Sequence, residues 1–130
     1  MFHTARLTMV YLSVPVLLLV FIPAPGSSSD AKGNYVALGF GLESCSTLIQ
    51  ASADGLDITY RHWLTGYLTA VNKLTKDTVD MRGTADIDRM MVSLRHYCAH
   101  HLTNSFSAAV EVLVTELYPK RMTHMPQAQE

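Results

Sequence analysis

The sequence predicts an all-α protein: a small four-helix bundle-like domain with one disulfide, preceded by a cleavable signal peptide. Three observations carry this. After residue 44, apolar residues recur at steps of three and four in successive segments. No convincing alternating strand pattern interrupts them. Two cysteines, Cys45 and Cys98, follow an apolar N-terminal run with the parts of an export signal.

The N-terminal run is LTMVYLSVPVLLLVFI, from Leu7 to Ile22. His3 and Arg6 precede it, and the small residues of PAPGSSSD follow. The run is broken by Pro15 and falls short of the about 20 apolar residues that span a bilayer. A cleaved signal is therefore expected rather than a membrane anchor, with the cut near Gly26 to Ser28. No cysteine lies there to carry a lipid. The expected organisation is a signal peptide over 1–28, a flexible lead-in over 29–43, a helical domain over 44–118 and a polar tail over 119–130.

After Gly26 the chain holds nine Lys and Arg against eleven Asp and Glu, a formal net charge of −2. That balance, with no clustered basic face, speaks against nucleic-acid binding. Cys45 and Cys98 are the only cysteines. In the periplasm or outside the cell two thiols in a small domain pair, so a disulfide is expected. Without a C-x-x-C spacing, a redox role is not.

The lead-in SSSDAKGNYVALGFG is polar, then glycine-rich, with Tyr35, Val36 and Phe40 as its apolar contacts. The first helix is expected over 44–53, with Leu48 and Ile49 on its apolar face and Gly55 at its stop. The second is expected over 58–75 with Asp57 as its N-cap. Tyr60, Trp63, Leu64, Tyr67, Leu68, Val71 and Leu74 form its stripe. Gly66, in its middle, permits a second helix to approach closely. Residues 76–84 read as a polar loop. The third helix is expected over 85–101, with Ile87, Met90, Met91, Leu94, Tyr97 and Cys98 on one face. Asp86 and Asp88 at its start and His100 and His101 at its end suit the helix dipole. The fourth is expected over 105–118, capped by Thr103 or Asn104, striped by Phe106, Ala109, Val110, Leu113 and Leu117, and ended by Pro119. The tail beyond it reads as frayed. In this arrangement the disulfide joins the start of the first helix to the end of the third.

His96 and His100 are four residues apart on one helix face, a spacing that suits two metal ligands. No acidic third ligand lies nearby in sequence, Cys98 is expected to be oxidised, and His100 is explained by the helix dipole. No metal or other cofactor is therefore expected. There is no G-x-S-x-G elbow and no glycine-rich phosphate loop, and no enzyme is expected. Tyr60, Trp63 and Tyr67 read as core rather than as an aromatic binding surface. Met90 and Met91 read as core filling, with Met81, Met122 and Met125 incidental. The five histidines after Gly26 would carry the formal charge from −2 to about +3 between pH 7 and pH 5, since histidine ordinarily titrates near about 6.5.

Three segments together resemble the HdeA/HdeB-like periplasmic acid-stress proteins: ESCSTLI around Cys45, YRHWLTGYLTAVN at 60–72, and DIDRMMVSLRHYCAHH at 86–101. The helix SFSAAVEVLVTEL follows, and the likeness covers roughly residues 42–118. Its elements are a cysteine on a short helix, a W-x-x-G-Y helix carrying Trp63, Gly66 and Tyr67, a Tyr97–Cys98 pair and a final amphipathic helix. The resemblance implies the same Cys45–Cys98 pairing and an acid-stress chaperone. A weak homodimer at neutral pH would loosen in acid and hold unfolding protein clients. This chain differs in a longer middle segment, a C-terminal tail and the lack of a lysine run near its end. The type VI secretion amidase immunity proteins share the outline and imply a different role, binding and blocking a peptidoglycan amidase toxin. Both readings place the protein in the periplasm or outside the cell, with protein partners and no stable membrane span after cleavage.

Overall fold

Among the described residues, four α-helices form where the apolar stripes put them. The structure is a computed structural model that describes residues 29–30 and 32–126. The helices are α1 (Cys45–Ala53), α2 (Ile58–Leu74), α3 (Ile87–His100) and α4 (Phe106–Leu117). Two 3-10 turns flank them, Gly39–Leu42 and Tyr118–Lys120. Among the described residues there is no strand, only two isolated antiparallel bridges. The expected signal peptide lies outside the described residues. Before residue 36, Asp30, Gly33 and Asn34 make a local turn, in which the Asp30 carboxylate accepts the Asn34 and Lys32 backbone N–H groups.

The helix starts follow capping chemistry, with two differences from expectation. Ser44 caps α1 through the Thr47 N–H, and Asp86 caps α3 through the Arg89 N–H. The cap of α4 is Ser105, which accepts from the Ala108 N–H, and not Thr103 or Asn104. Asp57 precedes α2 but makes no capping bond. Its backbone, at φ −81° and ψ 5°, lacks the extended shape that aims a capping side chain at the helix N–H groups. Its carboxylate instead accepts from Arg61 and Arg95, each at 3.4 Å.

The first turns of α1 and α4 also meet. The Cys45 N–H donates to the Asn104 carbonyl, Ser46 to Leu102 and Phe106 to Glu43, at 2.7–3.0 Å. These are first-turn donors with no partner inside their own helix, so each helix start satisfies the other. Beside this junction the Cys45–Cys98 disulfide ties the start of α1 to the end of α3, and both half-cystines are fully buried.

The core comprises Leu48 of α1, Tyr60, Leu64 and Leu68 of α2, Met90, Met91 and Leu94 of α3, and Phe106, Ala109, Val110 and Leu113 of α4. Met81 joins it from the 76–84 loop and is 1% exposed, so it is a core residue and not incidental. Its N–H donates to the Asn72 side chain at 2.7 Å. The loop is pinned further by the chain after α4. Asp80 and Met122 exchange backbone bonds across their antiparallel bridge, and the Val79 N–H also donates to the Met122 carbonyl. Arg121 lies over the Tyr118 ring at 3.9 Å and donates to Thr78. Gly83, at φ +60°, passes so close to the Lys120 carbonyl that a Cβ would collide with it. As far as Met122, then, the tail expected to fray is built into the bundle.

The lead-in also differs from a free segment over 38–42. Gly41 is buried beneath the Trp63 indole, and a Cβ at this position would overlap the ring. The indole N–H donates to the Leu38 carbonyl at 2.7 Å. Phe40 meets Tyr60 edge-on, Tyr60 and Trp63 meet Phe106 edge-on, and Trp63 stacks on Tyr67. The Gly41→Ala substitution should displace Trp63 and cost about 1–3 kcal/mol, the range for overpacking. A lowered urea midpoint would register it, and an unchanged midpoint would contradict the contact. Gly66, by contrast, marks no close helix approach among the described residues. It is exposed, and a Cβ there would meet nothing within 4 Å.

Candidate functional site

A groove of about 610 Å³ runs between α3 and α4. Helix geometry explains its lining. On α3, the face that carries Leu94 and Cys98 turns inward, which leaves Val92, His96 and His100 on the side toward solvent. On α4, Ala109 and Leu113 point into the core while Val112 and Glu116 stay exposed. The floor is therefore apolar, from Leu94, Ala109 and Leu113, and the edge carries His96, His100, His101 and the Glu116 carboxylate. Val92 is 57% exposed and Val112 is 38% exposed, an apolar rim open to contact.

The imidazoles are ordered by the helical repeat. The His96 and His100 ring centroids lie 5.2 Å apart, and His101 stacks on Tyr97 at 4.3 Å. The Asn104 side chain donates to the Tyr97 hydroxyl at 2.9 Å, which fixes that ring at the end of the groove. Among the described residues, no set of three or more His, Cys, Asp or Glu side chains is arranged to hold a metal ion.

The positions singled out in the sequence do not form one site. Cys45 and Cys98 are joined. Trp63 and Tyr67 stack at 5.2 Å along α2, in the aromatic cluster with Phe106. Tyr97 engages a different set, His101 and Asn104, and lines the groove. Gly66 is on the exposed side of α2. Sequence reasoning passed over Val92, Val112 and Glu116. The available signal was two valines lying off the apolar stripes of their helices.

Two ionic arrangements tie separate parts of the chain together or brace a loop. Asp57, little exposed, accepts from Arg61 and Arg95, and Arg61 reaches on to Asp88, so charge links the start of α2 to α3. The hydrogen bond that the Arg61 guanidinium donates to Asp88 favours its charged form and raises its pKa above the ordinary arginine value. At the 76–84 loop the Arg82 guanidinium clasps Asp80 at 2.7 and 3.1 Å and holds that carboxyl below the ordinary aspartate value. A carboxyl depressed in the folded state stabilises the fold above its unfolded value, near about pH 4. That contribution disappears as pH falls through the lower folded value.

Among the described residues no helix is long and apolar enough to cross a membrane. Comparison of the chain with protein-family models, with curated proteins and with solved structures gives no match.

Proposed function

We propose that this protein is exported and acts as an acid-stress chaperone of the HdeA-like type, holding unfolding protein clients. The observation that carries this reading is the α3/α4 groove, where an apolar floor and rim sit beside three histidines and one carboxylate. Apolar contact would supply client affinity. In strong acid the Asp80–Arg82 clasp weakens, which removes one of the contacts that hold the segment carrying Met81. The buried disulfide keeps α1 and α3 tethered meanwhile, so the domain can open without dispersing.

Light scattering of an acid-labile client at pH 2–3, with and without an equal mass of the oxidised protein, tests the proposal. Suppressed aggregation is expected. Aggregation unchanged by the protein overturns the reading. The pinned 76–84 loop favours a second reading, an immunity protein that presents a rigid surface to one amidase toxin. A toxin or amidase reading frame adjacent to this one, with tight binding at neutral pH, would select that alternative.

A further inference from the structure

We propose that His96 and His100 form a two-point site for a borderline divalent metal ion, of the zinc(II) or copper(II) class, at the edge of the α3/α4 groove. The inference is independent of the chaperone reading. Both side chains are exposed on successive turns of α3, and their rings meet edge-on with centroids 5.2 Å apart. Neither imidazole makes a hydrogen bond to another described residue, so their ring nitrogens are open to a ligand. Imidazole nitrogen suits zinc, copper and nickel, while magnesium and calcium prefer oxygen.

The helix between the two residues is held in place. Cys98 lies midway between them, fully buried and bonded to Cys45 on α1. The metal would therefore meet a pair whose spacing is already set, which reduces the ordering cost of binding. Cys98 itself is not a ligand, because its sulfur is in the disulfide. No third protein ligand completes a cage among the described residues. The remaining coordination positions therefore stay open to water or to a donor group on a molecule seated in the groove. This is the pattern of an exchangeable site and not of a closed structural one.

Zinc(II) is the probe to use. Zinc(II) chloride is titrated calorimetrically into the oxidised full chain at neutral pH, and the unfolding temperature is followed with and without zinc. The wild type is compared with His96→Ala, His100→Ala and a control, His62→Ala. The wild type and the control should bind one equivalent and unfold at higher temperature with zinc. Each of the two α3 variants should bind at least about ten-fold more weakly and lose the shift. Both replaced side chains are exposed, and helical circular dichroism verifies that the variants fold. Absence of zinc binding by the wild type overturns the proposal. So does equal binding by a His96→Ala/His100→Ala double variant.

Discussion

Removing the Cys45–Cys98 bond, by replacing both cysteines with alanine, should lower stability by about 4 kcal/mol on the chain-entropy model. The magnitude follows from a sequence separation of 53 between the two half-cystines. A loop that long holds much of the disorder of the unfolded chain, and the cross-link removes it. Small domains are stable by only about 5–15 kcal/mol in total. The loss therefore takes a large share of the margin. Both sulfurs are fully buried, so alanine is a better replacement than serine, which would add a buried hydroxyl. Guanidinium unfolding of the oxidised wild type and the double variant measures the difference. Equal midpoints would show that the unfolded chain gains nothing from being cut free.

The Phe106→Ala substitution should be nearly as severe, at about 3–5 kcal/mol. Phe106 is the first residue of α4 and is fully buried. Its ring centre lies 5.0 Å from that of Tyr60 and 5.5 Å from that of Trp63, so it joins α4 to two successive turns of α2. Truncation leaves a void beneath both rings while the Phe106 N–H bond to the Glu43 carbonyl is retained. Stability alone should therefore respond, with helix content near the wild-type level under native conditions. Urea unfolding followed by Trp63 fluorescence reads both the midpoint and the altered surroundings of the indole. A loss under about 1 kcal/mol would mean that the aromatic cluster collapses around the gap at little cost.

The helices were legible because their information is local. The Tyr60, Leu64 and Leu68 series identifies α2 without reference to the rest of the chain, and the observed helix ends one residue before the expected boundary. The disulfide was legible because the chain offers only one intramolecular pairing. What escaped was set by partners distant in sequence. Asp57 has the composition of a cap, but Arg95 from α3 claims its carboxylate. Met81 lies in a polar stretch and is buried because α2 supplies Asn72 and the chain after α4 supplies Met122. Gly41 looked like a flexible residue until Trp63 was placed over it. The groove is a further case of the same kind. Val92 and Val112 are unremarkable on their own helices, and only the packing of α3 on α4 sets them along one opening.

The junction of the two helix starts bears on how fast the chain can fold. Ser44 and Ser105 are widely separated in sequence, and bringing them together in a reduced chain requires closing a long loop before any backbone bond forms between them. Once Cys45 is bonded to Cys98, only the short stretch from Cys98 to Ser105 remains between the two strands of the bridge. A remote contact has become a near one. The oxidised chain thus has a lower effective contact order than its sequence suggests, which is the property that lets small helical proteins fold quickly. Under the proposed acid-opening role, reclosure on neutralisation would begin with that search already shortened.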